Sequence, residues 1–370
     1  MKKRVLLLCL YGLSLSLCSQ SAHLYIGTFA DRGSQGIYVY EFDLQTASFQ
    51  QIQTIDHLQS PSYLCLHPNG KYLYSGNRAS ILPNKKWGSI SAFSINEESG
   101  QLQHLNDASA LAEGTCYVST DHSGRQIYAA NYAGGSMASY ELMPDGKIGP
   151  LIADFPLQKE NGPVPHAHAA VASPDNRFLY VPDLGNDELM MYRIQAKRAK
   201  VKAKPKRALQ VEQGNGPRHF IFHPNGKWAF VAEELSSSVI TVAQQPKNGR
   251  LKILDRESTL PEGHTDKNKV ADIHIHPNGR WLYVSNRGHN SLAIYEVDDA
   301  SGELTSKGHQ STLGDWPRGF MITPNGKFLL VANRRTDNIV IFEIDTATGQ
   351  LIDTGKQIKI PAPVCLKMKH

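Results

Sequence analysis

Residues 214–239 read GNGPRHFIFHPNGKWAFVAEELSSSV. Two apolar runs flank the tetrapeptide His223-Pro224-Asn225-Gly226. Apart from His223 and Lys227 at the turn, the charged and titratable groups stand at the open end: Arg218 and His219 enter the first run, and Glu233 and Glu234 leave the second. An Asn-Gly turn between alternating apolar stretches predicts a β-hairpin. The rest of the chain is a set of variations on this unit.

The turn recurs at His67–Gly70, Asp121–Gly124, Ser173–Asn176, His223–Gly226, His276–Gly279 and Thr323–Gly326, with last residues spaced by 54, 52, 50, 53 and 47. After each comes a short apolar strand: YLYSGN, IYAANY, LYVPDL, AFVAEE, LYVSNR, LLVANR. A third strand usually follows, such as SLAIYEV or NIVIFEI, and then a glycine-containing turn into a fourth. Four antiparallel strands in a repeat of about fifty residues describe a β-propeller blade. A seventh copy is split. Residues 24–29 (LYIGTF) match the second strand and 36–43 (GIYVYEFD) the third, while Pro361–Leu366 (PAPVCL) aligns with Pro61–Leu66 (PSYLCL) and supplies the missing first strand. The expected fold is all-β: a single seven-bladed propeller over residues 23–370, with four-stranded antiparallel blades. The C-terminal strand joins the N-terminal blade and closes the ring, protecting edges that would otherwise invite aggregation.

Composition fits this reading, with 30 glycines and 20 prolines for many turns and no long helical periodicity. The N-terminus is separate. Lys2, Lys3 and Arg4 precede an apolar run from Val5 to Leu17 and small residues at 18–22, which reads as a secretory signal peptide over 1–22 with cleavage near Ser21 or Ala22. A periplasmic or secreted protein is expected. A lipoprotein attached through Cys18 ranks second, because bulky Leu17 stands where a small residue is usual. The apolar run is too short for a membrane span. Losing its three cations lowers the formal charge from +5 to about +2, which gives no reason to invoke nucleic acid. Cys65, Cys116 and Cys365 remain, odd in number and widely spaced, and read as buried thiols. Lys197–Arg207 carries seven cations in eleven residues where the outer strand of the fourth blade belongs. A charged edge strand is the favoured reading, ahead of a polyanion or anionic-lipid patch. A monomer is expected.

Register places the candidate site. Eight residues before the last residue of each turn, the blades carry Ala362 (through the match to Ser62), Ser62, Cys116, His168, Arg218, Ala271 and Arg318. His219 and Asp272 come one position later. Seven residues after the turn come Thr28, Asn77, Asn131, Asp183, Glu233, Asn286 and Asn333, followed by Phe29, Arg78, Tyr132, Leu184, Glu234, Arg287 and Arg334. In an antiparallel hairpin the start of one strand lies beside the end of the next, so both sets converge on one mouth of the central channel. Polar groups in a ring on an apolar scaffold suit a small-molecule site. The four asparagines favour structural capping, and His67, His223 and His276 belong to the turns at the other end. Five arginines, Arg78, Arg218, Arg287, Arg318 and Arg334, repel one another unless they meet acids or an anionic ligand. Asp183, Glu233 and Glu234 offset only part of that charge. His166 and His168 have the spacing of a metal pair, but spacing yields no third ligand, and neither metal nor cofactor is expected.

The stretches 25–43, 165–194, 216–239, 271–297 and 317–334 resemble the seven-bladed propeller lactonase family, which includes bacterial propeller-type 6-phosphogluconolactonases and fungal carboxymuconate cyclases. The resemblance covers essentially the whole mature chain. It implies a functional histidine at His168, the Pro-Arg-His arginine at Arg218, the Glu-Leu glutamate at Glu234 and the Asn-Arg arginine at Arg287. The family's Asn-Glu-Leu reads Glu233-Glu234-Leu235 here. The expected function is therefore hydrolysis of a sugar-type lactone, with Glu234 or His168 as general base and Arg218 and Arg287 holding an anionic group or the oxyanion. Arg318, His219, Arg78, Arg334, Asp183 and Glu233 are the expected substrate-binding residues. The partner is a small-molecule lactone or anionic sugar acid. The alternatives are a muconate-type lactonising cyclase, metal-assisted lactone hydrolysis and a non-catalytic binding propeller.

Overall fold

The computed structural model describes residues 21–82, 87–202 and 204–369. Most of the expected signal segment therefore lies outside the described residues, although Ser21 and Ala22 already pair with Asp43 and Phe42 in the first strand. Seven sheets follow one another around a ring. Blade five shows the pattern. Pro217–Phe222 lines the channel, and Trp228–Glu233, Ser238–Gln244 and Leu251–Ser258 follow outward, each antiparallel to the last. The turn forms as its residues dictate: the Gly226 amide donates to the His223 carbonyl at 2.9 Å, and Gly226 takes a φ of +69° that costs glycine little.

Ring closure follows the expectation with a change of register. The strand Pro363–Lys369 pairs with Ser21–Thr28 and completes blade one. Pro363 faces Thr28 and Cys365 faces Gly27, as Pro61 faces Asn77 and Tyr63 faces Gly76 in blade two. The structural counterpart of Pro61 is thus Pro363, not Pro361, and Val364 rather than Ala362 matches Ser62. A two-residue slide keeps every side chain on its original face, so the sequence match found the right strand and face in the wrong register.

Apolar faces of adjacent blades pack against each other. Phe220, 1% exposed, lies among Tyr180, Val231 and Ile240, and burial of such a ring contributes roughly 2 kcal/mol. Two polar latches repeat between neighbours. At the turn end, the rings of His67, His223 and His276 bond the carbonyls of Gly124, Gly279 and Gly326 in the following blade at 2.9, 2.7 and 2.9 Å. Farther out, Tyr25, Tyr74, Tyr180 and Tyr283 donate to Gly100, Gly146, Gly249 and Gly349. Tyr128 should do the same toward blade four. There the glycine turn is replaced by the one-turn helix Ala196–Arg198, and the Tyr128 hydroxyl has no partner. The basic segment forms the outer edge of blade four as two short strands, Lys200–Val201 and Lys206–Gln210, both paired to Glu188–Gln195.

Candidate active site

The mouth of the channel is built by irregularity in otherwise regular strands. In blades two, three, five and seven the inner strand slips register just after its first residue, leaving Ser62, Cys116, Arg218 and Arg318 as bulged positions. A bulge re-aims a side chain that strict alternation would bury between sheets. In blade four the inner strand is reduced to Val171–Ala172. His168 precedes it, tied to that blade by its own amide, which donates to the Pro182 carbonyl at 3.0 Å.

Glu234 is the centre of charge. It is 5% exposed and its Oε2 accepts from Arg218 Nε at 3.0 Å and lies 2.8 Å from Arg287 Nη2. Lys269 Nζ approaches Oε1 to 3.5 Å. Burial alone would raise this carboxyl, but Arg287 and Arg218, with Arg318 beyond them, more than offset it and hold the carboxyl down at about 2. The arginines are themselves anchored to backbone. Arg218, 1% exposed, donates to the Ala271 carbonyl, and Arg287 donates to Val270 and Lys269 carbonyls at 2.8 and 3.3 Å. Burial brings Arg287 down to about 10, with Glu234 opposing and Arg218 adding to the effect.

Around this carboxylate lies a chamber of about 170 Å³ lined by Arg78, Tyr132, His168, Glu234, Arg287 and Arg318. It opens into a vestibule of about 440 Å³ that shares Arg78, Arg287 and Arg318 and adds Phe29, Asp31, Ser60, Trp316 and Arg334. The guanidinium groups of Arg78, Arg318 and Arg334 surround the Phe29 ring at 5.4, 5.2 and 4.6 Å from its centroid. Arg334 is neutralised by Asp31. Arg78 and Arg318 differ: among the described residues neither side chain has a carboxylate or hydrogen-bond acceptor, and each rests only on Phe29. Burial, then Arg218, Arg287 and Arg78, pull Arg318 well below the usual guanidinium range. His168, 3% exposed, is likewise pushed well below an ordinary imidazole by burial first and then by Arg218, His219 and Arg318. The chamber therefore holds a neutral imidazole, an ionised carboxylate bound to two arginines, and two cations without counter-charge. Such an arrangement of charge suits an anionic group and offers a proton acceptor at His168. Among the described residues, no three His, Cys, Asp or Glu side chains cluster as metal ligands.

Residues 23–368 match the family described as lactonase, 7-bladed beta-propeller. The chain belongs to this family. It is 33% identical over 358 residues to the 6-phosphogluconolactonase of Bacillus subtilis, covering 94% of this chain and 98% of that one. It is 34% identical over 308 residues to the 6-phosphogluconolactonase of Formosa agariphila, covering 81% and 86% respectively. Among solved structures, the periplasmic gluconolactonase of Pseudomonas aeruginosa superposes with a TM-score of 0.86 at 32% identity, covering 95% of this chain and 99% of that one.

Within this lactonase-family propeller, His168, Glu234, Arg287, Arg318 and Arg78 line the chamber, with Arg218 directly behind Glu234. Arg334 stands at the vestibule. His219 lies beside the chamber, its ring centroid 5.3 Å from that of His168. Two expected residues are not brought to it. Glu233 is fully buried within blade five, bonded to Ser238 at 2.6 Å and 3.3 Å from Arg256. Asp183 is also fully buried and accepts from the amides of His166, Gly185 and Asn186, which fixes the backbone leading to His168. Tyr132 and Phe29 were not singled out, although both share the register of Arg78, Glu234 and Arg287, and that register was the available signal.

Proposed function

We propose that this protein hydrolyses a sugar-type lactone in the chamber, with His168 as general base. The observation that carries the reading is the pair of arginines without counter-charge, Arg78 and Arg318, facing one chamber with neutral His168 and the Glu234–Arg287 ion pair. Water attacks the acyl carbon as His168 takes its proton. Arg287 and Arg318 stabilise the oxyanion. The ring C–O bond then breaks and the leaving alkoxide receives the proton, giving the open-chain acid. Glu234 is committed to Arg218 and Arg287 by a hydrogen bond and an ion pair, so its role here is to fix those two arginines. An anionic substrate group against Arg78 and Arg318 would also ease protonation of His168 by cancelling nearby positive charge. We further place the activity outside the cytoplasm, on the basic and apolar N-terminal segment and the similarity to a periplasmic enzyme.

The test is proton release from a panel of plain and phosphorylated sugar lactones, corrected for spontaneous hydrolysis, with Glu234→Gln as control. Turnover of at least one lactone, lowered in the variant, is expected. Rates equal to the uncatalysed background across the panel would refute the proposal. Consumption of a muconate-type dicarboxylate instead would favour the cyclase.

A further inference from the structure

Beneath the chamber lies a buried imidazole–carboxylate pair that the proposed chemistry does not use. His219, 5% exposed, holds its Nδ1 2.7 Å from Asp272 Oδ1. Asp272 is 6% exposed and fully engaged: Oδ1 also accepts from the Ile273 amide at 3.0 Å, and Oδ2 accepts from His274 Nε2 at 3.1 Å and the Phe320 amide at 3.2 Å. An ionised Asp272 bound this way makes Nδ1 the protonated nitrogen of His219 and leaves Nε2 with its lone pair. That Nε2 is buried and has no protein partner. A buried polar atom left unpaired in a native interior calls for an explanation. The ring faces three aromatic neighbours, His168 at 5.3 Å, Tyr117 at 5.5 Å and Tyr63 at 5.9 Å between centroids.

We infer that His219 and Asp272 are positioning residues for His168, forming with it one proton-accepting unit in which the carboxylate-backed His219 shares the charge His168 collects from water. The inference rests on the proposed lactonase reading for its kinetic arm. The geometry supplies the reason for the pair. Besides burial, Arg218, His219 and Arg318 all oppose protonation of His168, and its other neighbours Cys116 and Tyr132 are neutral. On His219 the same two arginines act from one side and Asp272 from the other. Asp272 is thus the one anion placed to make His168 a stronger base without occupying the chamber; Glu234 is already committed to arginines.

The kinetic test is the pH dependence of kcat for lactone hydrolysis in the wild type, Asp272→Asn and Asp272→Glu. Asp272→Asn should lower the kcat plateau about tenfold, less than the ~100-fold or more of a direct general base, with KM changed less than threefold. It should also move the acid limb to lower pH, because removing a negative charge makes His168 easier to deprotonate. Asp272→Glu should restore part of both. A merely structural role would lower stability or kcat without moving the limb, so an acid limb coincident with wild type in Asp272→Asn would overturn the inference. A second readout needs no turnover. In histidine-labelled wild-type protein, nitrogen NMR should show His219 as the Nδ1–H tautomer, and in Asp272→Asn the His168 titration should move to lower pH. The opposite tautomer, or an unmoved His168 titration, would also overturn it. Absence of lactone turnover in wild type would sink the proposed function alone and leave the NMR result to decide this inference.

Discussion

Replacing Glu234 by glutamine removes the one carboxylate that Arg218 and Arg287 share. Its ordinary value of 4.5 is held down to about 2 in the folded protein. At about 1.4 kcal/mol per unit this corresponds to roughly 3 kcal/mol favouring the ionised, folded form. The figure agrees with the ~3–5 kcal/mol cost of breaking a buried pair by removing one partner. With an unfolding entropy of ~2 cal/mol/K per residue over about 350 residues, Glu234→Gln should melt about 4 °C below wild type at pH 7. The effect has a defined pH window. A depressed carboxyl contributes stability that is complete above its unfolded value, near 4.5, and is lost as pH falls through its folded value, near 2. The gap between wild type and variant should therefore be full above pH ~5, about half closed near pH ~3 and absent near pH ~2. Paired melts by circular dichroism in low-salt buffers across that range measure it. A gap under 1 °C at pH 7, or one that fails to narrow between pH 7 and 3, would refute the electrostatic account of Glu234.

Two further substitutions separate ligand binding from architecture. Arg318→Ala removes a cation with no acid partner, so it should leave the melting temperature unchanged or raised while weakening inhibition by an anionic sugar acid about tenfold or more; equal inhibition in both proteins would count against an anion subsite. Tyr283→Phe deletes a hydroxyl that donates to Gly349 at 2.8 Å and should cost about 1 kcal/mol in urea unfolding. Tyr128→Phe deletes one with no partner and should cost nothing or stabilise. Equal losses in the two would show that the tyrosine latches do not act as hydrogen bonds.

The scaffold was legible because it is repeated. Six turns at nearly constant spacing, followed by six similar strands, define the period, and the split copy is visible because LYIGTF and GIYVYEFD are second and third strands with no first. What the letters could not supply was fine register. Cys365 matches Cys65 by eye, yet it pairs with Gly27 as Tyr63 pairs with Gly76, because pairing is set by backbone hydrogen bonds rather than by side-chain identity. The same limit governs the site. Glu233 and Glu234 are equally acidic and adjacent, but neighbours on a strand point to opposite sides. Glu233, like Asn77 and Asn131 at its register, is sealed inside its blade, whereas Glu234 opens to the chamber with Arg78 and Arg287. Asp183 fell to the same parity. The bulges that re-aim Arg218 and Arg318 leave no mark in composition, and the Asp272–His219 pair crosses between blades five and six, beyond any pattern read along one hairpin.

Ring closure also bears on when the site exists. One wall of the vestibule spans the seam between the first and last blades: Arg318 and Arg334 of blade seven rest on Phe29 of blade one, Arg334 pairs with Asp31, and Arg32 holds Asp337 at 2.7 Å. Those contacts need the strand Pro363–Lys369, last in chain order, to be seated beside Ser21–Thr28. A protease that clips this strand should therefore part Arg318 and Arg334 from Phe29 and dismantle that wall of the vestibule. The seam is thus expected to couple the vestibule to closure of the ring, so that loss of ligand affinity would precede loss of the blades themselves.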